Sequence, residues 1–238
     1  MKNGTGNITA ILFDKDGTLL DFDATWAPAY RETSLHAARG DRALADRLLE
    51  QTGMDLTTGK SAAGSLLAAG NSAEIAAAWI ACGADFQEGV LTEDLDRVFI
   101  GCMHDAATLP GVPEAVETLS ATGFTLGVAS SDSEAAIRAF LAGTRLAPRF
   151  AFVTGYDTGF GPKPEPGMVH GFAKATGLAP DRIAVVGDNT HDLEMARSAG
   201  AGLCIGVLTG TSARHDLESL ADAVLDSVAD LPAYLSCR

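Results

Sequence analysis

Two aspartates, Asp14 and Asp16, close the apolar run Ile11–Phe13 with a single lysine between them, and Gly17 and Thr18 then turn the chain. Like charges held within about 4–6 Å raise one of the two pKa values, so such a pair can present one ionised carboxylate and one protonated acid. Three later segments carry related chemistry. Ser130, Ser131 and Asp132 follow an apolar run; Lys163 is held between Pro162 and Pro164; Asp188 ends another apolar run, and Asp192 follows near the next helix start. Each segment alone reads as ordinary turn or helix-capping chemistry. Their occurrence together, in this order, does not.

The positions follow from the elements around them. Short apolar runs at 8–14, 124–132, 150–155, 182–188, 202–208 and 221–227 are nearly continuous in hydrophobicity, the mark of strands covered on both faces. Helical patterns at 113–123, 133–143, 165–177 and 191–200 lie between them, closed by glycine. Strand and helix in alternation predict an α/β fold with a Rossmann-like parallel sheet. In open sheets of that kind ligands bind beyond the carboxyl ends of the strands. That is the edge to which the acids, the hydroxyls and Lys163 would be delivered.

One interval breaks the rhythm. From Asp23 to Ala107 no strand is evident, and Ala- and Leu-rich helical patterns cover 24–40, 42–53, 72–83 and 92–107. A Gly-, Ser- and Thr-rich piece, 54–72, connects the middle two. This interval is far longer than an ordinary crossover. It predicts a helical domain, 23–107, inserted into an α/β core made of 1–22 and 108–238.

The motifs resemble those of the haloacid dehalogenase (HAD) superfamily, in its phosphoglycolate phosphatase-like group. "DKDGT" is similar to the family's D-x-D-G-T, "VASSD" to its Ser/Thr motif, "GPKPEP" to its lysine motif and "GDNTHD" to its G-D-x-x-x-D. The likeness runs over the whole chain, with the insert in the place of the family's helical cap. The resemblance implies a phosphatase acting on a small phosphate ester. Asp14 would be the nucleophile that forms an aspartyl-phosphate. Asp16 would be the general acid and then the base. Mg2+ would be held by Asp14, the backbone carbonyl of Asp16 and Asp188, with Asp192 ligating through water or orienting the shell. Ser130 and the amide of Ser131 would hold phosphoryl oxygens, and Lys163 would neutralise charge on nucleophile and phosphate. Four carboxylates, one lysine and Mg2+ leave one net negative charge, so a dianionic phosphate requires one acid to be protonated.

Other classes fit less well. The 238-residue chain carries a formal charge of −14, which opposes binding to nucleic acid or an anionic membrane. Its four cysteines are scattered, no apolar run approaches the roughly 20 residues of a membrane span, and the N-terminus lacks a signal-peptide profile, so a cytoplasmic protein is expected. A β-phosphoglucomutase-like phosphomutase is the alternative enzyme, and an inactive binding module would be expected to lack the nucleophile or the acid. The spacing fixes neither the ester nor the oligomeric state. Lys15, one residue from Asp14 on a strand end, is expected to face away as a solvated or outer-layer lysine, making its replacement nearly silent; the alternative is that its charge lowers the pKa of Asp14. Lys60 is read as an exposed loop lysine that could alternatively reach the substrate. His191 is read as filler at a helix start, and Trp26 and Trp79 as packing within the insert.

Overall fold

The computed structural model describes residues 8–237; residues 1–7, most of the stretch read for a leader, and Arg238 lie outside them. Six strands form one parallel sheet: β1 (Ala10–Phe13), β2 (Thr125–Ala129), β3 (Phe150–Thr154), β4 (Ile183–Gly187), β5 (Leu203–Val207) and β6 (Ala223–Leu225). Their spatial order is β3-β2-β1-β4-β5-β6. All six predicted strands are present. The central strand shows why no polar alternation was visible: Ile11 and Phe13 enter one buried cluster, while Ala10 and Leu12 enter a second on the opposite face.

Register sets the level of the site. Phe13 lies opposite Val128 of β2 and Val186 of β4. Asp14 therefore leaves β1 beside the last residues of both neighbours, one position short of Ser130 and Asp188. Its amide donates to the carbonyl of Val186 at 2.8 Å, extending the ladder by one residue. Ligand crevices arise where connections from a central strand diverge to opposite sides, and β1, flanked by β2 and β4, is such a point.

Six helices run between β1 and β2, and the first five form one block: α1 (Phe22–Ala37), α2 (Arg42–Thr52), α3 (Leu66–Ala69), α4 (Ser72–Ala81) and α5 (Glu88–Met103). The four long ones match the sequence expectation, with altered ends. α1 is capped by the Asp21 side chain, α2 by Asp41, and α4 by a reciprocal Asn71–Glu74 box. α5 starts at Glu88 and stops at Met103, earlier at both ends than its apolar spacing suggested. The chain enters and leaves this block side by side, where Leu20 bridges Thr108 and the Leu109 amide donates to the Leu19 carbonyl at 3.0 Å.

The remaining helices cover the sheet: α6 (Val112–Ala121), α7 (Glu134–Gly143), α8 (Gly167–Thr176), α9 (Thr190–Ala199), α10 (Arg214–Leu217) and α11 (Leu231–Ser236). Met168, Val169 and Phe172 of α8 and Leu193 of α9 pack on the Leu12 face. The Phe13 face is continuous with the apolar interior of the insert, through Trp26, Leu91, Leu95, Phe99 and Met103. Among the described residues the four cysteines are free thiols, and no helix is long and apolar enough to cross a membrane.

Candidate active site

Asp14, Lys163, Asp188 and Asp192 meet at the carboxyl edge of the sheet. The buried ammonium of Lys163 donates to Oδ1 of Asp14 at 2.5 Å and to Oδ1 of Asp192 at 2.6 Å. Asp192 sits in the first turn of α9, where its Oδ2 accepts the Asn189 amide at 3.1 Å as half of a capping box. The loop after β5 closes on Asp188, whose Oδ2 accepts the Thr211 amide at 2.9 Å. Gly17 and Gly210 pass so near that a Cβ on either would collide with the Asp188 carboxylate. Gly17 also has φ 76°, a conformation glycine adopts without strain.

Too much negative charge is buried here for one lysine. Burial, opposed by Lys163 and reinforced by Asp192 and Asp16, pushes Asp14 up to about 7. Burial and the charges of Asp14 and Asp192 raise Asp188 as well. Lys163 is held above the usual lysine range: burial disfavours its charge, but Asp14 and Asp192 outweigh that. One carboxylate oxygen from each of Asp14, Asp188 and Asp192 lies within 4.8 Å of the others. Three hard oxygen donors around an uncompensated charge are what a divalent cation relieves, so the residues present fit a metal ion. The Asp16 side chain is not part of this group.

Asp16 turns the other way. Its Oδ1 accepts from Lys15 Nζ at 2.8 Å and from the Trp26 indole at 2.6 Å, and its Oδ2 accepts from the Ser130 hydroxyl at 3.0 Å. Ser130 thus grips the second acid, while its Oγ also takes the Asp132 amide at 3.1 Å. Ser131 lines the cavity beside it.

Lys15 corrects the sequence expectation. It does point away from Asp14, as alternation requires, yet what lies on that side is protein. The residue is fully buried, and its ammonium also donates to Asp132 Oδ2 at 3.0 Å and to Met103 Sδ at 3.3 Å. It lies 5.1 Å from the Trp26 ring centroid, within cation–π range. Burial opposes its charge, but Asp16 and Asp132 more than compensate and raise its pKa. The alternative, that its charge depresses Asp14, finds no support, since Lys163 is the lysine acting on Asp14.

The cavity above these groups is narrow, with about 50 Å³ of room for water-sized occupants. Asp14, Asp16, Lys163, Asp188 and Asp192 form its floor, and Phe22, Trp26, Tyr30, Leu67, Ile75 and Phe99 of the insert form much of its roof. Of the 54–72 stretch, residues 67–72 line it. Lys60 does not; it is exposed, 3.4 Å from Asp23 on the outer surface. His191, read as filler at a helix start, also lines the cavity, and its buried Nδ1 has no hydrogen-bond partner among the described residues. Trp79 is interior packing, donating to Thr52 at 3.2 Å. Sequence reasoning missed the roles of Lys15, Trp26, Asp132 and the Thr211 amide, because none of them follows from a strand-end pattern.

Fold and site together define an α/β scaffold with a helical insert over an acidic, lysine-bearing crevice, and comparison with known proteins gives its family. A family model for haloacid dehalogenase-like hydrolases matches residues 8–200. The chain belongs to this family. It is 33% identical over 224 residues to "Probable phosphatase IndB" of Dickeya dadantii, covering 90% of this chain and 87% of that protein. It is 33% identical over 131 residues to a phosphoglycolate phosphatase of Rhodospirillum rubrum, a match spanning 55% of this chain and 54% of the relative. The structure of CbbY from Rhodobacter sphaeroides in complex with phosphate superposes with a TM-score of 0.71 at 24% identity, covering 94% of this chain and 96% of that one, a likeness of fold.

Proposed function

We propose that this phosphoric monoester hydrolase is a Mg2+-dependent phosphatase that cleaves a small phosphorylated metabolite through an aspartyl-phosphate on Asp14. The observation that carries the reading is the meeting of Asp14, Asp188 and Asp192 around Lys163, with Asp16 held separately across the same cavity. A bound Mg2+, held by Asp14 and Asp188 with Asp192 beside them and the Asp16 carbonyl as a further ligand, supplies charge neutralisation for phosphate and nucleophile.

The chain's own groups do the rest. An ionised Asp14 oxygen attacks phosphorus, the ester P–O bond breaks, and Asp16 gives its proton to the leaving oxygen. Asp16 then removes a proton from water as that water attacks phosphorus, releasing orthophosphate and restoring Asp14. Lys163 neutralises oxygens gaining charge and the Ser131 amide receives phosphoryl oxygens, while the Ser130 hydroxyl, buried and donating to Asp16, orients the acid rather than the phosphate. The insert, residues 23–107, acts as a cap over the 1–22 and 108–238 core and excludes bulk water. A cytoplasmic location suits the four free thiols.

Purified protein with Mg2+ should release orthophosphate from members of a panel of small phosphomonoesters, and EDTA should stop it. No release from any ester would sink the proposal. Interconversion of sugar phosphate isomers without net release would move the protein to the phosphomutases. Lys163→Met should lower kcat by roughly 10²–10³, as loss of one preorganised charge at the reacting group typically does. An unchanged kcat would remove Lys163 from the site.

A further inference from the structure

We infer that Trp26 is a positioning residue for Asp16, so that the acid/base is fully oriented only when the first helix of the insert lies over the core. This rests on the phosphatase reading above and adds to it a residue that none of the family motifs contains.

Asp16 has three donors on its two oxygens, from two different parts of the fold. Lys15 and Ser130 belong to strand ends of the core. The third donor, and at 2.6 Å the shortest of the three, is the indole N–H of Trp26, one turn into α1. The two core donors take different oxygens, Lys15 the Oδ1 and Ser130 the Oδ2, both from the sheet side. The indole N–H adds a third fixed point, on the side facing the cavity roof.

Trp26 is itself held firmly. Its ring stacks on Tyr30, one helical turn on, with centroids 5.5 Å apart, and takes the edge of Phe99 from α5 at 4.8 Å. The Tyr30 hydroxyl donates to the Leu67 carbonyl at 2.7 Å, tying the stack to the 67–72 segment of the roof. The Lys15 ammonium lies against the same indole. Movement of α1 therefore carries the indole N–H with it, and the Asp16 carboxyl loses its outer anchor.

The test separates positioning from packing. Trp26→Phe keeps an aromatic ring in the stack and removes the N–H together with part of the ring volume, so the substrate ratio rather than the absolute rate carries the test. An alkyl phosphate needs a well-placed acid to protonate its leaving oxygen, whereas the p-nitrophenolate of p-nitrophenyl phosphate leaves without one. The ratio of kcat/KM for p-nitrophenyl phosphate over an alkyl phosphate should rise about 10- to 100-fold in Trp26→Phe. Tyr30→Phe, which keeps the stacked ring and removes a hydroxyl that does not touch Asp16, should keep the wild-type ratio. A second readout is independent of turnover. The two tryptophans give two indole N–H signals in an ¹⁵N correlation spectrum, and Asp16→Ala should move that of Trp26 while leaving that of Trp79 in place. If Trp26→Phe lowers both substrates equally, or if Asp16→Ala leaves both signals unmoved, the inference is wrong while the phosphatase reading stands. If the wild-type protein with Mg2+ releases phosphate from no ester of the panel, both fall.

Discussion

Asp14→Asn should abolish phosphate release, by roughly 10⁴-fold or more, and should not lower the melting temperature of the metal-free protein. The two halves of this expectation have different origins. Asparagine has no ionised oxygen with which to attack phosphorus, so the covalent route closes. The amide oxygen can still accept from Lys163, so the hydrogen bond to Asp14 Oδ1 survives in kind. At the same time one of three mutually repelling buried carboxylates disappears. Burial has already pushed Asp14 up to about 7, which shows that its charge is a burden on the metal-free fold. Steady-state phosphate release and thermal melting, measured on one preparation, check both halves. Substantial retained turnover would take Asp14 out of the nucleophile role.

Lys15→Met should be the most damaging change to stability near the site. Methionine fills similar volume in a position that is fully enclosed, so packing is largely kept. What it removes is the cation shared by Asp16 and Asp132, whose side chains lie 2.8 and 3.0 Å from it. Breaking a buried pair by removing one partner costs about 3–5 kcal/mol, because the partner's charge stays behind. For a chain of this size that corresponds to a fall in Tm on the order of 10 °C. Asp132 is the residue left exposed to this penalty. Burial already pushes it up to about 6, against the opposing pull of Lys15. Adding Asp132→Asn to Lys15→Met should therefore return part of the lost stability, a coupling that a double-mutant cycle reads directly. A Tm within 2 °C of wild type for Lys15→Met would show the pair to be structurally idle.

How much of this was legible beforehand depends on whether the information was local. Each strand announces itself because a parallel strand buried on both faces must be apolar throughout, as Ala10–Phe13 is. The long insert helices show because they carry apolar residues at helical spacing and strong caps such as Asn71 with Glu74. The four-residue α3 and α10 are too short to show a period. The acids and Lys163 were readable because strand ends in a parallel sheet converge. Lys15 was misread for a physical reason. Alternation reports only that a side chain leaves the face of its neighbour; whether that side is water or protein depends on Trp26 and Met103, 11 and 88 positions away. Trp26 was read as packing, which it is, but its N–H partner is set by tertiary folding alone.

The pairing of Leu20 with Thr108 has a meaning for modularity. Because the two crossings of the chain are hydrogen-bonded to each other, the sheet registers everything between them as one closed loop. Loop length enters stability only logarithmically, so a shorter or longer helical block could be grafted at this junction without disturbing strand register. Chemistry would not be so permissive. A transplanted block must bring its own apolar face for Phe13, a wall around the Lys15 ammonium and an N–H for the free side of Asp16. The junction is interchangeable; the surface it presents to the core is not.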